Sequence, residues 1–233
     1  MRDSSISLKE FITLLYVKIK TIAYNFIDFF KAVFYYYSNF NFFKIDSYLI
    51  GSYLSKSPFE ISKTFLLEKG KKNIYTYGET PLATIDTISR ECGLSKNDTV
   101  FELGCGRGRT CFWLHSFIGC NVVGIDHIPQ FIDFASAIQK KLNLTQMEFR
   151  LGDICTADYT GATCIYLYGT CLEPVEIQRL IEKFSALPAG TQIITVSYPL
   201  EEFSSTDRFE VMKRFPASFS WGTGDVYLQV IKP

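Results

Sequence analysis

Histidine is scarce in this chain of 233 residues, which contains only 2 His. It contains 7 Cys, but no two of them form a Cys-x-x-Cys pair. So few imidazoles and no closely spaced thiols argue against a zinc site, and an odd number of cysteines argues against a disulfide framework. The sequence therefore predicts no bound metal and a reducing, cytoplasmic compartment.

A long uncharged apolar run is also lacking, although 47% of the residues are hydrophobic and 16% are aromatic. The longest apolar stretch, residues 11–37, is interrupted by Lys18, Lys20, Asp28 and Lys31. A membrane-spanning helix of about 20 uncharged residues cannot be drawn through it. The chain begins with polar residues and has no small-residue cleavage site, so a signal peptide is not expected. Contact with a membrane surface stays open.

The formal net charge is zero, but the charges are unevenly distributed. Residues 1–72 contain 11 Lys and Arg against 6 Asp and Glu, whereas residues 73–233 contain 13 against 18. The basic first part is also rich in Phe and Tyr. We therefore predict two parts, a helical, aromatic-rich N-terminal extension (1–72) and a more acidic catalytic domain (73–233).

The N-terminal extension has the periodicity of helices. Residues 8–37 predict a helix that is apolar over most of its circumference. Its polar positions fall on one narrow stripe, at Lys18, Thr21, Asn25 and Asp28. A second apolar stretch, residues 40–54, and a short helix that begins near Pro58 and ends at Gly70 complete the extension.

Helices and strands alternate after the extension. Thr80 as N-cap and Pro81 at the first helical position begin a helix that ends at Gly93. The predicted strands are 99–103, 121–125, 147–151, 162–168 and 191–197, and helices begin between them at residues 110, 129 and 173. Two alternating segments, 209–215 and 225–231, flank a turn-rich segment. The predicted fold is α/β, with a Rossmann-like, mostly parallel sheet, a C-terminal antiparallel hairpin and a preceding helical extension.

A glycine-rich loop, Glu102-Leu103-Gly104-Cys105-Gly106-Arg107-Gly108, joins the first predicted strand to a helix. Ligands bind at this point of an α/β sheet, because free helix N–H groups face them and glycine allows close approach of the backbone. Arg109 stands where a dinucleotide fingerprint needs its third glycine, which disfavours NAD. The next two strands end near Asp126 and Asp153, so three acids are expected along one sheet edge.

Each acid taken alone is more often a helix cap or a loop acceptor than a ligand contact. Together they suit a cofactor with a cationic amine, a sulfonium, a ribose diol and an adenine. Over roughly residues 75–233 the motifs resemble those of class I S-adenosylmethionine-dependent methyltransferases. The resemblance implies that Glu102, Gly104 and Gly106 contact the methionine portion of the cofactor. It also implies that Asp126 contacts the ribose and Asp153 the adenine.

A narrower resemblance concerns Tyr77-Gly78-Glu79-Thr80, which is similar to a loop of the non-SET histone-lysine methyltransferases of the disruptor-of-telomeric-silencing type. There the loop closes over the methionine end of the cofactor. This implies cofactor contacts for Tyr77 and Thr80, with simple packing and N-capping as the alternatives. The other residues expected at the cofactor site are Arg109, His127, Ile154 and Tyr168.

The predicted function is methyl transfer from S-adenosylmethionine to an acceptor that no motif identifies, and no catalytic base is recognised. Tyr168-Gly169 replaces the Asn pair of the histone enzymes and no polybasic tail follows, so a small molecule or a non-histone protein is favoured over a nucleosome. Two alternatives stay open: a cofactor-binding scaffold, and a membrane-surface enzyme with a lipid-like acceptor. The N-terminal helices are expected to form a lid, a dimer interface or a membrane contact.

Overall fold

A computed structural model describes residues 8–71 and 73–233. Its strands are β1 (Thr99–Leu103), β2 (Asn121–Asp126), β3 (Met147–Leu151), β4 (Cys164–Leu167), β5 (Gln192–Val196), β6 (Phe209–Phe219) and β7 (Gly222–Ile231). They form one sheet in the order β3-β2-β1-β4-β5-β7-β6. The first five strands in this order are parallel, and the β6–β7 hairpin is antiparallel at the edge. The predicted α/β fold with its C-terminal hairpin is confirmed.

Helices cover both faces of this sheet. They are α1 (Leu8–Tyr36), α2 (Phe40–Ser52), α3 (Pro58–Glu68), α4 (Leu82–Glu91), α5 (Arg109–Trp113), α6 (Pro129–Lys141) and α7 (Pro174–Ser185). Helix α7 packs on one face, and the other helices share a second core on the opposite face. Side chains of β1 alternate between the two, so Phe101 and Leu103 lie under α7 while Val100 and Glu102 point toward α5.

Three local predictions differ in detail from the structure. Helix α4 begins at Leu82 with Pro81 as its N-cap residue. Thr80 does not cap it, because its hydroxyl lies 2.5 Å from the hydroxyl of the buried Tyr166 and bonds there instead. The helix predicted to begin at residue 110 is present as α5, Arg109–Trp113, and continues as a π-helical turn, Leu114–Ile118. The hairpin strands also run through most of the expected turn segment, where Pro216 is tolerated because β6 is an edge strand.

The N-terminal helices pack against the rest of the chain through one side of α1 and through α2. Ala32 and Tyr36 of α1 are buried, and the Tyr36 hydroxyl donates to Asp86 of α4 at 3.0 Å. Of the predicted polar stripe, Asp28 lies 3.9 Å from Arg109, and the other three side chains are outside the described set. Within residues 8–71 and 73–233, none of the helices is both long and apolar enough to cross a membrane.

Candidate active site

The glycine-rich loop after β1 is folded back onto the end of β2. Gly104, Gly106 and Gly108 have φ angles of +72°, +54° and +78°, a region that other residues rarely adopt. The N–H groups of Gly104 and Cys105 both donate to the carbonyl of Ile125, at 2.8 and 3.0 Å. These bonds hold the loop at the carboxyl edge of the sheet, as the sequence pattern predicted.

Asp126 ties this loop to the following helix. One of its carboxylate oxygens accepts from the N–H of Gly106 at 2.8 Å, and the other accepts from the N–H of Ile128 at 2.9 Å. Burial raises the pKa of Asp126, although these backbone donors favour its charged form. Asp126 therefore shapes the loop directly, in addition to any contact with a ligand.

Glu102 is a buried acid at the inner wall of the same loop. It accepts hydrogen bonds from the hydroxyl of Thr110 and, at 3.0 Å, from the thiol of Cys111. Burial raises the pKa of Glu102 to about 7, and the two hydrogen bonds only partly oppose this shift. Both donors are neutral, so a cation placed beside Glu102 would favour the ionised carboxylate.

Residues 77–80, here called the covering loop, lie across the glycine-rich loop. Tyr77 donates its hydroxyl to Glu79, and its ring lies against Gly106, where an added Cβ would be 3.2 Å from Cε2. Glu79 pairs with Arg107 at 2.6 and 2.8 Å. Burial disfavours its charge, but Arg107 holds the pKa of Glu79 below its usual value. This ion pair fastens the covering loop to the glycine-rich loop.

A narrow cleft separates the two loops. Its free volume is about 20 Å³, roughly enough for one water molecule. Residues 78–80, Glu102, 104–107, 109–110 and Tyr168 line it. Five predicted site residues besides Arg109 therefore converge on one cleft: Thr80, Glu102, Gly104, Gly106 and Tyr168.

Arg109 also reaches the cleft, but its guanidinium points to the N-terminal helices. It binds both carboxylate oxygens of Asp46 in α2, at 2.9 and 2.7 Å, and the hydroxyl of Tyr37 donates to the same carboxylate at 2.8 Å. Burial disfavours the charge of Asp46, yet Arg109 and Tyr37 hold its pKa below the usual value. A direct cofactor contact of Arg109 stays a prediction.

Three predicted residues lie further along the same sheet edge. His127 is exposed and stacks on Phe65 of α3, with ring centroids 5.3 Å apart. Asp153 is exposed and accepts from the N–H of Cys155 at 2.8 Å, and Ile154 packs on the α7 side. Because β3 lies beside β2, they stand next to Asp126 but outside the narrow cleft.

Sequence reasoning missed an aromatic wall formed by Tyr168, Phe219 and Trp221. Neighbouring rings are nearly parallel, at 10° and 1°, with centroids 5.2 and 5.3 Å apart. The indole N–H of Trp221 donates to the Tyr168 hydroxyl at 2.6 Å. Trp221 can fold back over β7 because residue 224 is glycine, where a Cβ would lie 2.4 Å from the indole. The only signal in the sequence was a Trp followed closely by two glycines, Gly222 and Gly224.

Comparison with known proteins gives the following matches. Residues 94–166 match a methyltransferase domain family. Sterol 24-C-methyltransferase ERG6 of Saccharomyces cerevisiae is 30% identical over 128 residues, which is 53% of this chain and 32% of the yeast protein. A histone-lysine N-methyltransferase of Dictyostelium discoideum, specific for H3 lysine-79, is 27% identical over 50% of this chain and 7% of its own length. This chain thus spans a third or less of these curated relatives.

Solved structures show the same fold at low sequence identity. An RNA methyltransferase from Salinibacter ruber, in complex with S-adenosyl-L-homocysteine, has a TM-score of 0.55 and 24% identity, covering 66% of this chain and 94% of its own. TrmN from Thermus thermophilus has a TM-score of 0.58 and 12% identity, covering 65% and 49%. At these identities both likenesses concern the fold alone.

Proposed function

We propose that this chain is a class I S-adenosylmethionine-dependent methyltransferase that transfers a methyl group to an acceptor held against the aromatic wall, and the match of residues 94–166 to a methyltransferase domain family supports this. The observation that carries the proposal is the convergence of the glycine-rich loop, the buried Glu102 and Tyr168 on one cleft. The cleft thus combines a cofactor loop with a surface for a second molecule.

The residues of the cleft fit S-adenosylmethionine. On the open side of Gly104 an added Cβ would meet no atom within 4 Å, so a ligand can approach this backbone closely. Glu102 is a buried acid without a cationic partner, and it suits the amino group of the methionine portion. We assign the ribose diol to Asp126 and the adenine edge to Asp153, further along the edge.

When bound, the cofactor supplies an electrophilic methyl group on a positively charged sulfur. The protein's contribution is orientation: the loops fix the cofactor, and the aromatic wall positions the acceptor and excludes water. Among the described cleft residues, Glu79 is engaged by Arg107 and Glu102 is assigned to the amino group of the cofactor, while burial raises the pKa of Tyr168 and keeps its phenol protonated, so none of them is a free base. We therefore propose catalysis by proximity, with an acceptor that is already deprotonated or loses its proton on burial.

We favour a small molecule or a non-histone protein as acceptor. Trp221 leaves half of its surface exposed beside the cleft and offers a flat, apolar contact. The sterol enzymes among the relatives are named for an apolar acceptor, which agrees with such a wall. The catalytic part, residues 73–233, has 18 acids against 13 bases, and DNA phosphates would be repelled by this excess.

Two glycine variants test cofactor binding. Gly104→Ala places a methyl group on the side of the loop where the cofactor would lie. Gly93→Ala is a matched control, because Gly93 at the end of α4 has a φ of +69° and equally open surroundings. Calorimetry with S-adenosylmethionine and its demethylated product should show at least about tenfold weaker binding for Gly104→Ala only. Equal affinities in both variants would remove the loop from the cofactor site.

Methyl transfer itself distinguishes an enzyme from a cofactor-binding scaffold. The chain is incubated with tritiated S-adenosylmethionine and fractionated cell extract, and the labelled fraction is identified as lipid, small molecule, protein or nucleic acid. Binding without label in any fraction would support the scaffold. Strong labelling of purified nucleosomes, lost in Gly104→Arg, would contradict the proposed acceptor class.

A further inference from the structure

One side of α1 carries a continuous row of exposed apolar side chains, here called the outer stripe. Its members recur at helical spacing, at Ile12, Tyr16, Ile19, Phe26, Phe30 and Phe34. Their side chains are 42% to 77% exposed. From Ile12 to Phe34 the stripe covers 23 residues, or about 33 Å along the helix. Single exposed apolar residues are ordinary, but a continuous stripe of this length marks an interaction surface.

The charges of α1 and α2 are segregated between the two sides of these helices. The acids Asp28 and Asp46 are turned inward to Arg109. Lys31 and Lys44 are exposed, and Lys31 lies among Phe30 and Phe34 in a shallow groove. Among the described side chains of α1 and α2, the outward side therefore combines aromatic rings with positive charge and no exposed acid.

We propose that the outer stripe binds an anionic lipid surface, with α1 lying along the bilayer interface. Aromatic and aliphatic side chains insert at the boundary of headgroups and acyl chains, and lysines beside them reach the headgroup phosphates. Each lysine near such a surface adds to the attraction. A second copy of the chain fits less well as the partner. If the same sides of two copies met, Lys31 and Lys44 of one copy would face the equally positive side of the other.

This surface lies apart from the cofactor cleft. Asp28 and Ala32 mark the inner side of α1, which faces Arg109 and the catalytic core, while Phe30 and Phe34 point away. Lipid binding therefore does not depend on the proposed methyl transfer, and either can fail without the other.

Vesicle flotation of the full-length chain tests the proposal. Vesicles of phosphatidylcholine with phosphatidylserine are compared with vesicles of phosphatidylcholine alone. We expect binding to the anionic vesicles, and a drop of at least about tenfold in the double variant Phe30→Glu, Phe34→Glu. The double variant Lys31→Glu, Lys44→Glu should lose binding to a similar extent, because it reverses the charge of the face.

Val175→Glu is the matched control, since Val175 is 57% exposed on α7, on the opposite face of the sheet. It should bind vesicles like the unchanged chain, and circular dichroism checks that every variant is folded. Equal binding to neutral vesicles would overturn the choice of an anionic surface. Unchanged binding of the Phe variant would overturn the role of the stripe. Absence of flotation, together with a dimer in sedimentation that the Phe variant dissociates, would assign the stripe to a second copy.

Discussion

The loops around the cleft bury charged groups, whereas the outer side of α1 exposes apolar side chains. The two regions differ in whether these groups find partners within the chain. At the cleft, buried charges are matched within the chain: Glu79 pairs with Arg107, and Asp46 pairs with Arg109. On the outer side, Phe34 and Tyr35 are 77% and 70% exposed. The N-terminal helices therefore hold Arg109, next to the glycine-rich loop, on their inner side and carry exposed aromatic side chains on their outer side.

The largest expected effect comes from breaking the match on the inner side. Asp46→Ala removes the carboxylate that both the guanidinium of Arg109 and the hydroxyl of Tyr37 bind, and only Asp28, 3.9 Å away, stays near the guanidinium. Removing one partner of a buried ion pair costs about 3–5 kcal/mol, because the remaining charge stays desolvated. Chemical denaturation should show a loss of this size in the free energy of unfolding.

Asp207→Ala is the corresponding exposed control. Asp207 pairs with Lys232, but its side chain is 95% exposed, so solvent screens the pair and a loss of less than about 0.5 kcal/mol is expected. Equal losses in the two variants would contradict the idea that α2 anchors the glycine-rich loop through Arg109.

Trp221 shares one property with each of these two surfaces: it is half exposed, like the outer stripe, and it is hydrogen-bonded to a cleft residue, Tyr168. Trp221→Ala removes the outer ring of the aromatic wall and its hydrogen bond to Tyr168. Loss of one such aromatic contact is worth about 1 kcal/mol. We expect a roughly fivefold to tenfold lower kcat/KM for the acceptor, with cofactor affinity changed less than about twofold.

Trp221→Phe retains a ring but not the indole N–H, so it should recover most of the acceptor activity. The labelled fraction of the tritium screen supplies the acceptor for this assay. If Trp221→Ala weakened cofactor binding and acceptor use equally, the aromatic wall would belong to the cofactor site instead.

Glu102 is the exception to the matching of charges at the cleft, since its partners Thr110 and Cys111 are neutral. Burial raises its pKa to about 7. The stability that a raised carboxyl pKa contributes is present in acid and is lost as pH rises through about 7. Binding of a cation has the opposite sign, because it requires the ionised carboxylate.

Cofactor affinity should therefore increase by roughly eightfold from about pH 6 to about pH 7.5, as the ionised fraction of Glu102 grows. Calorimetry at several pH values measures this slope. Glu102→Gln, which keeps the shape and loses the titration, should bind weakly and with little pH dependence. A slope that persists in Glu102→Gln would assign the pH dependence to another group.

Sequence patterns predicted the sheet, the hairpin and the glycine-rich loop, because apolar periodicity and glycine at positive φ are local properties. They failed at Thr80, whose capping preference yields to a partner 86 residues away, the buried Tyr166. The pairing of Arg109 with Asp46 and the approach of Trp221 to Tyr168 also depend on contacts between distant segments. Such partners follow from packing, and spacing in one sequence does not reveal them.

The smallest expected effect is that of Phe34→Ala, and Phe42→Ala serves as its buried counterpart on the inner side of the N-terminal helices. Phe42 in α2 is fully buried, whereas Phe34 in α1 is 77% exposed. Phe42→Ala removes a core side chain and should cost about 3–5 kcal/mol. Phe34→Ala removes little buried surface, so the free energy of unfolding in solution should change by less than about 0.5 kcal/mol. Paired denaturation curves measure both values. A large loss for Phe34→Ala would mean that the outer stripe is already covered in solution. The distinction between a buried inner side and an exposed outer side of these helices would then be wrong.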